Sequence, residues 1–164
     1  MLTLFFSPLA FAGPDSQIYS KAVKLARSQQ QDFAFMQFNR ILRDFPKSKF
    51  REPALFACGE YYFDILNYQE SNNLFNTLLN EFPNSKSKIF ILAYLLKIAQ
   101  AQRDEVLAKN LEQEIISSQK VGLVFKDYQE YKIKSPQNRW HKVIFRINKI
   151  EFFINENLFI EISY

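Results

Sequence analysis

The 164-residue chain holds one cysteine, one histidine, one tryptophan and only three glycines. One cysteine excludes an intramolecular disulfide framework, and Cys58, set in Ala57-Cys58-Gly59 on an apolar stretch, is expected to be a buried, inert thiol. With one histidine, a metal site or a Ser-His-Asp device would rest on His141 alone, for which a surface or capping role beside Trp140 is expected. No glycine-rich phosphate loop and no nucleophile elbow occurs. These shortages argue against catalysis: no catalytic residue, cofactor or metal ligand is expected, and the chain reads as a non-enzyme. The scarcity of glycine also speaks against an all-β sandwich with its many tight turns. No apolar run is long enough to span a bilayer, so no transmembrane segment is expected.

Aromatic residues are plentiful: eighteen Phe and eight Tyr bring the aromatic share to 16%. They serve either as core filling or as contact surface. The first twelve residues are uncharged and apolar and end in Ala10-Phe11-Ala12, the pattern of a secretory h-region with a small-x-small cleavage site, although its positively charged start is missing. Residues 1–12 are therefore expected to be a signal peptide of a periplasmic protein. Gly13 stands where lipidation would need a cysteine, so no lipid anchor is expected.

A phrase recurs: Phe45-Pro46-Lys47-Ser48-Lys49 and Phe82-Pro83-Asn84-Ser85-Lys86 lie 37 residues apart. The offset also pairs Ala22 with Gly59, Leu25 with Tyr62, Ala34 with Ser71 and Phe38 with Phe75. Such a period marks a helical repeat array. Helix pairs are expected from Ser16 through Asp44, from Glu52 through Glu81, and, with less fidelity, from Ser87 through Ser118. Small residues at Gly59 and Ser71 are expected to let the helices of a pair touch each other.

The stretch 143–164 admits two readings. Its β-branched and aromatic density, with Asn155-Glu156-Asn157 as a turn, suits a hairpin. Trp140, Val143, Ile147, Ile150 and Ile154 are also spaced by three, four, three and four, which suits a helix. Setting Ser135-Pro136 against Phe45-Pro46 favours the helix, a partial fourth unit from Gln137, preceded by an extra helix over 121–134. The expectation is thus an all-α, right-handed helical-hairpin solenoid, with three pairs over 13–118 and an extra helix plus partial repeat over 119–164.

The positions of Gly59, Tyr62, Ser71, Phe75 and Pro83, echoed by Ala22, Leu25, Ala34, Phe38 and Pro46, resemble the tetratricopeptide repeat. The Phe-Pro-x-Ser ending and long period resemble its bacterial envelope subgroup, which includes BamD-like outer-membrane assembly lipoproteins and a periplasmic cell-division coordinator. The resemblance implies a non-catalytic scaffold or adaptor, in envelope or outer-membrane assembly, that binds a protein or peptide in its groove. It places that groove at Tyr19, Val23 and Arg27, at Phe56, Glu60, Phe63 and Asp64, and at Ala93, Lys97 and Gln100.

A rival reading comes from charge. Residues 119–149 carry eight Lys or Arg against two acids, while the whole chain is only +4. Lys126, Lys132, Lys134, Arg139, Lys142, Arg146 and Lys149, interleaved with Tyr128, Tyr131 and Trp140, suit a cell-wall glycan, an anionic lipid or an acidic protein. Export argues against nucleic acid as the partner. A third reading takes the chain as the adaptor portion of a longer protein.

Overall fold

A computed structural model describes residues 13–118 and 128–164. The expected signal peptide, the first part of the expected extra helix, and Lys126 lie outside the described residues. Six helices come first: α1 (Pro14–Arg27), α2 (Gln31–Asp44), α3 (Arg51–Asp64), α4 (Tyr68–Glu81), α5 (Lys88–Gln102) and α6 (Glu105–Ser117). Their starts keep the sequence period, since α1, α3 and α5 begin 37 residues apart and so do α2, α4 and α6. Left-handed residues recur at the same spacing, at Gln29, Leu66 and Arg103, where the first helix of each pair turns into the second. Asn67 and Asp104 then cap α4 and α6 through the backbone N–H of Glu70 and Leu107.

Within a pair the close approach differs in detail from the expected one. Ser71 Oγ donates to the Gly59 carbonyl oxygen at 3.0 Å. What leaves no room at Gly59 is Phe75: a Cβ there would lie 2.5 Å from its ring. Ile18, Leu55 and Leu92, and likewise Ile41, Leu78 and Ile115, are buried at equivalent places of the three pairs.

The chain after the helices overturns the all-α solenoid. Strands β1 (Tyr128–Lys134), β2 (Trp140–Arg146), β3 (Lys149–Ile154) and β4 (Asn157–Ser163) form an antiparallel meander in sequence order. The molecule is mixed α/β; strands replace the partial fourth repeat throughout and the second half of the extra helix. The helical stripe expected over 140–154 fails on burial, because Trp140 is 52% exposed and Ile147 76% exposed. Alternation wins instead: His141 and Val143 of β2, Ile150 and Phe152 of β3, and Ile160 and Ile162 of β4 are buried on one face. Turn chemistry agrees with the strands. Asn155 and Glu156 both have positive φ, as the tight turn between β3 and β4 demands. Ser135-Pro136-Gln137-Asn138 forms a β-turn closed by Asn138 N–H on the Ser135 carbonyl, so this Pro opens a hairpin and not a helical unit.

The sheet lies on α3 and α5, where it shares one core with Leu55, Phe56, Phe90, Leu92, Tyr94 and Leu96. A second core joins α1, α2 and the start of α3 through Ile18, Ala22, Phe38, Ile41 and Ala54.

Candidate functional site

The first helix of each pair was expected to line an open groove. In pairs two and three that face is covered by the chain's own sheet. Phe63 meets Phe159 with ring centroids 5.7 Å apart, Tyr94 meets Phe159 at 5.1 Å, and Phe90 meets Phe152 at 6.3 Å. A β-bulge between Phe152 and Phe153 makes this possible. Ile160 pairs with Phe152 and Leu158 with Phe153, so Phe159 is the extra residue and turns toward the helices.

At the centre of this seam sit three polar side chains. His141 Nε2 lies 3.1 Å from Glu60 Oε1 and 3.0 Å from the Tyr94 hydroxyl, which donates to the same carboxylate oxygen at 3.2 Å. All three are at most 1% exposed. Burial, with the Glu60 charge beside it, pushes the Tyr94 phenol well above its ordinary value. The imidazole is framed by Phe56 and Phe90, each with its ring centroid 5.5 Å away. A Glu-His-Tyr constellation has the residue types of acid–base chemistry, and here all three groups are enclosed between helices and sheet. It acts as a polar clasp between helices and sheet. His141 is thus neither a surface nor a capping residue, contrary to the sequence reading.

Two further ties flank the clasp. Gln137 Nε2 donates to the Ala57 carbonyl at 3.0 Å. Arg139 forms a bidentate ion pair with Asp64, its Nη1 donating to Oδ1 at 2.8 Å. Burial works against the Arg139 charge, but the Asp64 hydrogen bonds together with the negative charges of Glu60 and Asp64 outweigh it, so the guanidinium stays firmly protonated.

The expected groove residues therefore separate. Phe56, Glu60, Phe63 and Asp64 hold the sheet, Ala93 is buried in the same core, and Lys97 lies over the Phe159 ring at 5.9 Å. Gln100 is exposed beyond the seam. In pair one, Tyr19 is occupied by stacking on Phe50 at 4.5 Å, Val23 is half-buried, and Arg27 is exposed.

The basic residues separate as well. Arg139 belongs to the seam. Arg146 and Lys149 share Glu151, Lys149 also reaches Glu161, and Lys132 pairs with Glu130. Lys134 and Lys142 instead lie over the rings of Trp140 and Phe153, at 5.4 and 4.4 Å. Strand alternation puts Lys132, Lys134, Trp140, Lys142, Phe153 and Leu158 on the outer face, away from the helices. Arg146, Lys149 and the acids Glu130, Glu151 and Glu161 share that face, so its carboxylates are engaged in ion pairs while Lys134 and Lys142 lie over aromatic rings.

A separate cleft of about 560 Å³ opens where three turns meet: the α1–α2 turn at Gln29 and Gln31, the β1–β2 turn at Gln137 and Asn138, and the β3–β4 turn at Asn155 and Asn157. Sequence reasoning missed it, because these residues are far apart in the chain and join only through the unexpected sheet. Comparison with protein-family models finds no match to this chain, and comparison with curated proteins finds none either.

Proposed function

We propose that this protein is a non-catalytic interaction scaffold of the bacterial periplasm, acting in envelope or outer-membrane assembly, and that it takes an acidic protein partner on the outer face of its sheet. The observation that carries the reading is the occupied groove. Pairs two and three use their first helices to hold the chain's own strands, which leaves the outer sheet face as the available basic and aromatic surface. Lys134 and Lys142, held over Trp140 and Phe153, are without carboxylate partners among the described residues. Cations fixed over rings keep their charge at the surface while the rings offer apolar area, a combination that suits carboxylates flanked by apolar side chains. Export rests on the apolar leader with its Ala-Phe-Ala ending, and the envelope setting on the resemblance of the repeat.

The test is capture from a periplasmic extract by the full chain and by a Lys134→Glu, Lys142→Glu variant. The reading expects captured proteins to be acidic, to be lost with the variant, and to release as salt shrinks the screening length from about 10 Å at 0.1 M to about 3 Å at 1 M. Capture that is unchanged by charge reversal and by salt would overturn it. The same lysines favour an anionic lipid or cell-wall polymer as the second reading, in which case anionic vesicles or wall fragments, and no protein, would bind in the same charge-dependent way.

A further inference from the structure

The cleft at the meeting of the three turns has a chemistry unlike the rest of the surface. Six of its lining residues are carboxamides: Gln29, Gln31, Gln137, Asn138, Asn155 and Asn157. Ala26 and Ile154 supply apolar area, and its one charged residue, Arg139, is already neutralised by Asp64. The wall is held firmly. Gln137, 2% exposed, is tied to the Ala57 carbonyl, and Asn155 Oδ1 accepts from the Trp140 backbone N–H at 3.0 Å. Gln29, Asn138 and Asn155 all sit in left-handed turn conformations, which brings their carboxamides together from three separate connections. Two of the six, Gln31 and Gln137, have a buried Oε1 that receives no hydrogen bond among the described residues. Buried acceptors of this kind are normally satisfied, and both lie at residues that line the cleft.

We propose that this cleft binds a neutral saccharide. Apart from the Gln137 NH2 and the Asn155 Oδ1, which are engaged within the fold, these carboxamides offer NH2 donors and carbonyl acceptors, which match hydroxyl groups that donate and accept at once. With the cleft electrically balanced, no anionic or cationic group is selected. Its volume lies within the range of roughly 300–1,000 Å³ typical of ligand sites, large enough for a short sugar chain. The site is distinct from the basic outer face, so the two stand or fall separately.

Titration calorimetry on the full chain reports occupancy of the cleft. The full chain is titrated with chitotriose, cellotriose and maltotriose, and with a neutral tripeptide amide as control. At least one saccharide is expected to bind at millimolar concentration or better, and the tripeptide not to. A Gln31→Ala, Asn157→Ala variant, which leaves the left-handed positions and the seam intact, is expected to weaken that binding at least tenfold while its melting temperature stays near that of the parent. The Lys134→Glu, Lys142→Glu variant is expected to bind the saccharide as the parent does. No binding of any of the three saccharides, binding insensitive to the Gln31 and Asn157 changes, or equal binding of the tripeptide would each overturn the proposal.

Discussion

Gly59 leaves no room for a Cβ against Phe75, whose ring is fully buried. Gly59→Ala is therefore expected to destabilise the protein by about 1–3 kcal/mol through overpacking, in spite of alanine's better helix propensity. A denaturant midpoint equal to that of the parent would contradict this. Tyr94 poses the complementary case, a polar group at the seam. Tyr94→Phe keeps the ring among Phe56, Phe63 and Phe159 but removes a hydroxyl from buried Glu60 and His141, a loss of about 1–3 kcal/mol at neutral pH. The pH dependence has a definite sign. The native phenol is held neutral with its pKa raised, while the unfolded one ionises near about 10. Its contribution is complete below about pH 10 and is lost as pH rises beyond that value. The stability gap between parent and Tyr94→Phe should accordingly narrow in alkaline denaturation series; a constant gap would show that Tyr94 ionises freely in the fold.

At the scale of elements, three non-glycine residues, Gln29, Leu66 and Arg103, accept left-handed backbone at one position of the repeat. Leu66 is 68% exposed and has little packing to lose. Leu66→Gly is expected to raise stability by about 1 kcal/mol by removing the Cβ conflict of that conformation, and thermal melting would check it. A clear loss would mean that the turn is not left-handed. The helices were legible because a 37-residue register repeats small and aromatic positions that only helix pairs can satisfy. The strands were less legible, for a stretch rich in Ile, Val and Phe offers both periods, and Trp140 and Ile147 happen to fall on the helical one although both end exposed. A signal for the sheet was nevertheless present. The run Ile89-Phe90-Ile91-Leu92-Ala93-Tyr94-Leu95-Leu96 in α5 is apolar all round, and a helix of that kind must be covered on every side. α6 covers one side only; the sheet covers another. The groove positions failed as an open site for the same reason, because Phe56, Phe63 and Glu60 are the residues that meet this cover.

For the whole molecule, ion pairs and hydrogen bonds between residues distant in the chain fasten the ends of the helical units. Ser48 Oγ donates to Asp15 at 2.7 Å, joining the start of α1 to the α2–α3 connection. Arg51 binds Glu81 through two hydrogen bonds of 2.6 and 2.7 Å, joining the two ends of the second pair. The Arg51 hydrogen bonds hold the Glu81 carboxyl below its ordinary value, and the Ser48 hydrogen bond does the same for Asp15. Groups with depressed native pKa values contribute stability above their unfolded pKa and lose it as pH falls through the native one. Acid unfolding should thus set in below about pH 4, in the carboxylate range. An Arg51→Leu, Glu81→Leu double variant should show a shallower pH dependence in that window than the parent, with the share of Asp15 remaining. An identical acid profile would remove this pair from the account. Salt should weaken the same exposed contacts while leaving the apolar seam intact.

The central claim is that the strands after residue 128 occupy the face of α3 and α5 that would otherwise form a groove. It is tested most directly by nuclear Overhauser contacts in the isotopically labelled full chain, read between the rings of Phe63 and Tyr94 and that of Phe159, and between Phe56 or Phe90 and the His141 imidazole. The account predicts strong cross-peaks for each pair, since their centroids lie between 4 and 6 Å apart. Absence of all these cross-peaks, with sharp and mobile signals from 140–163, would contradict it and return the groove to the solvent.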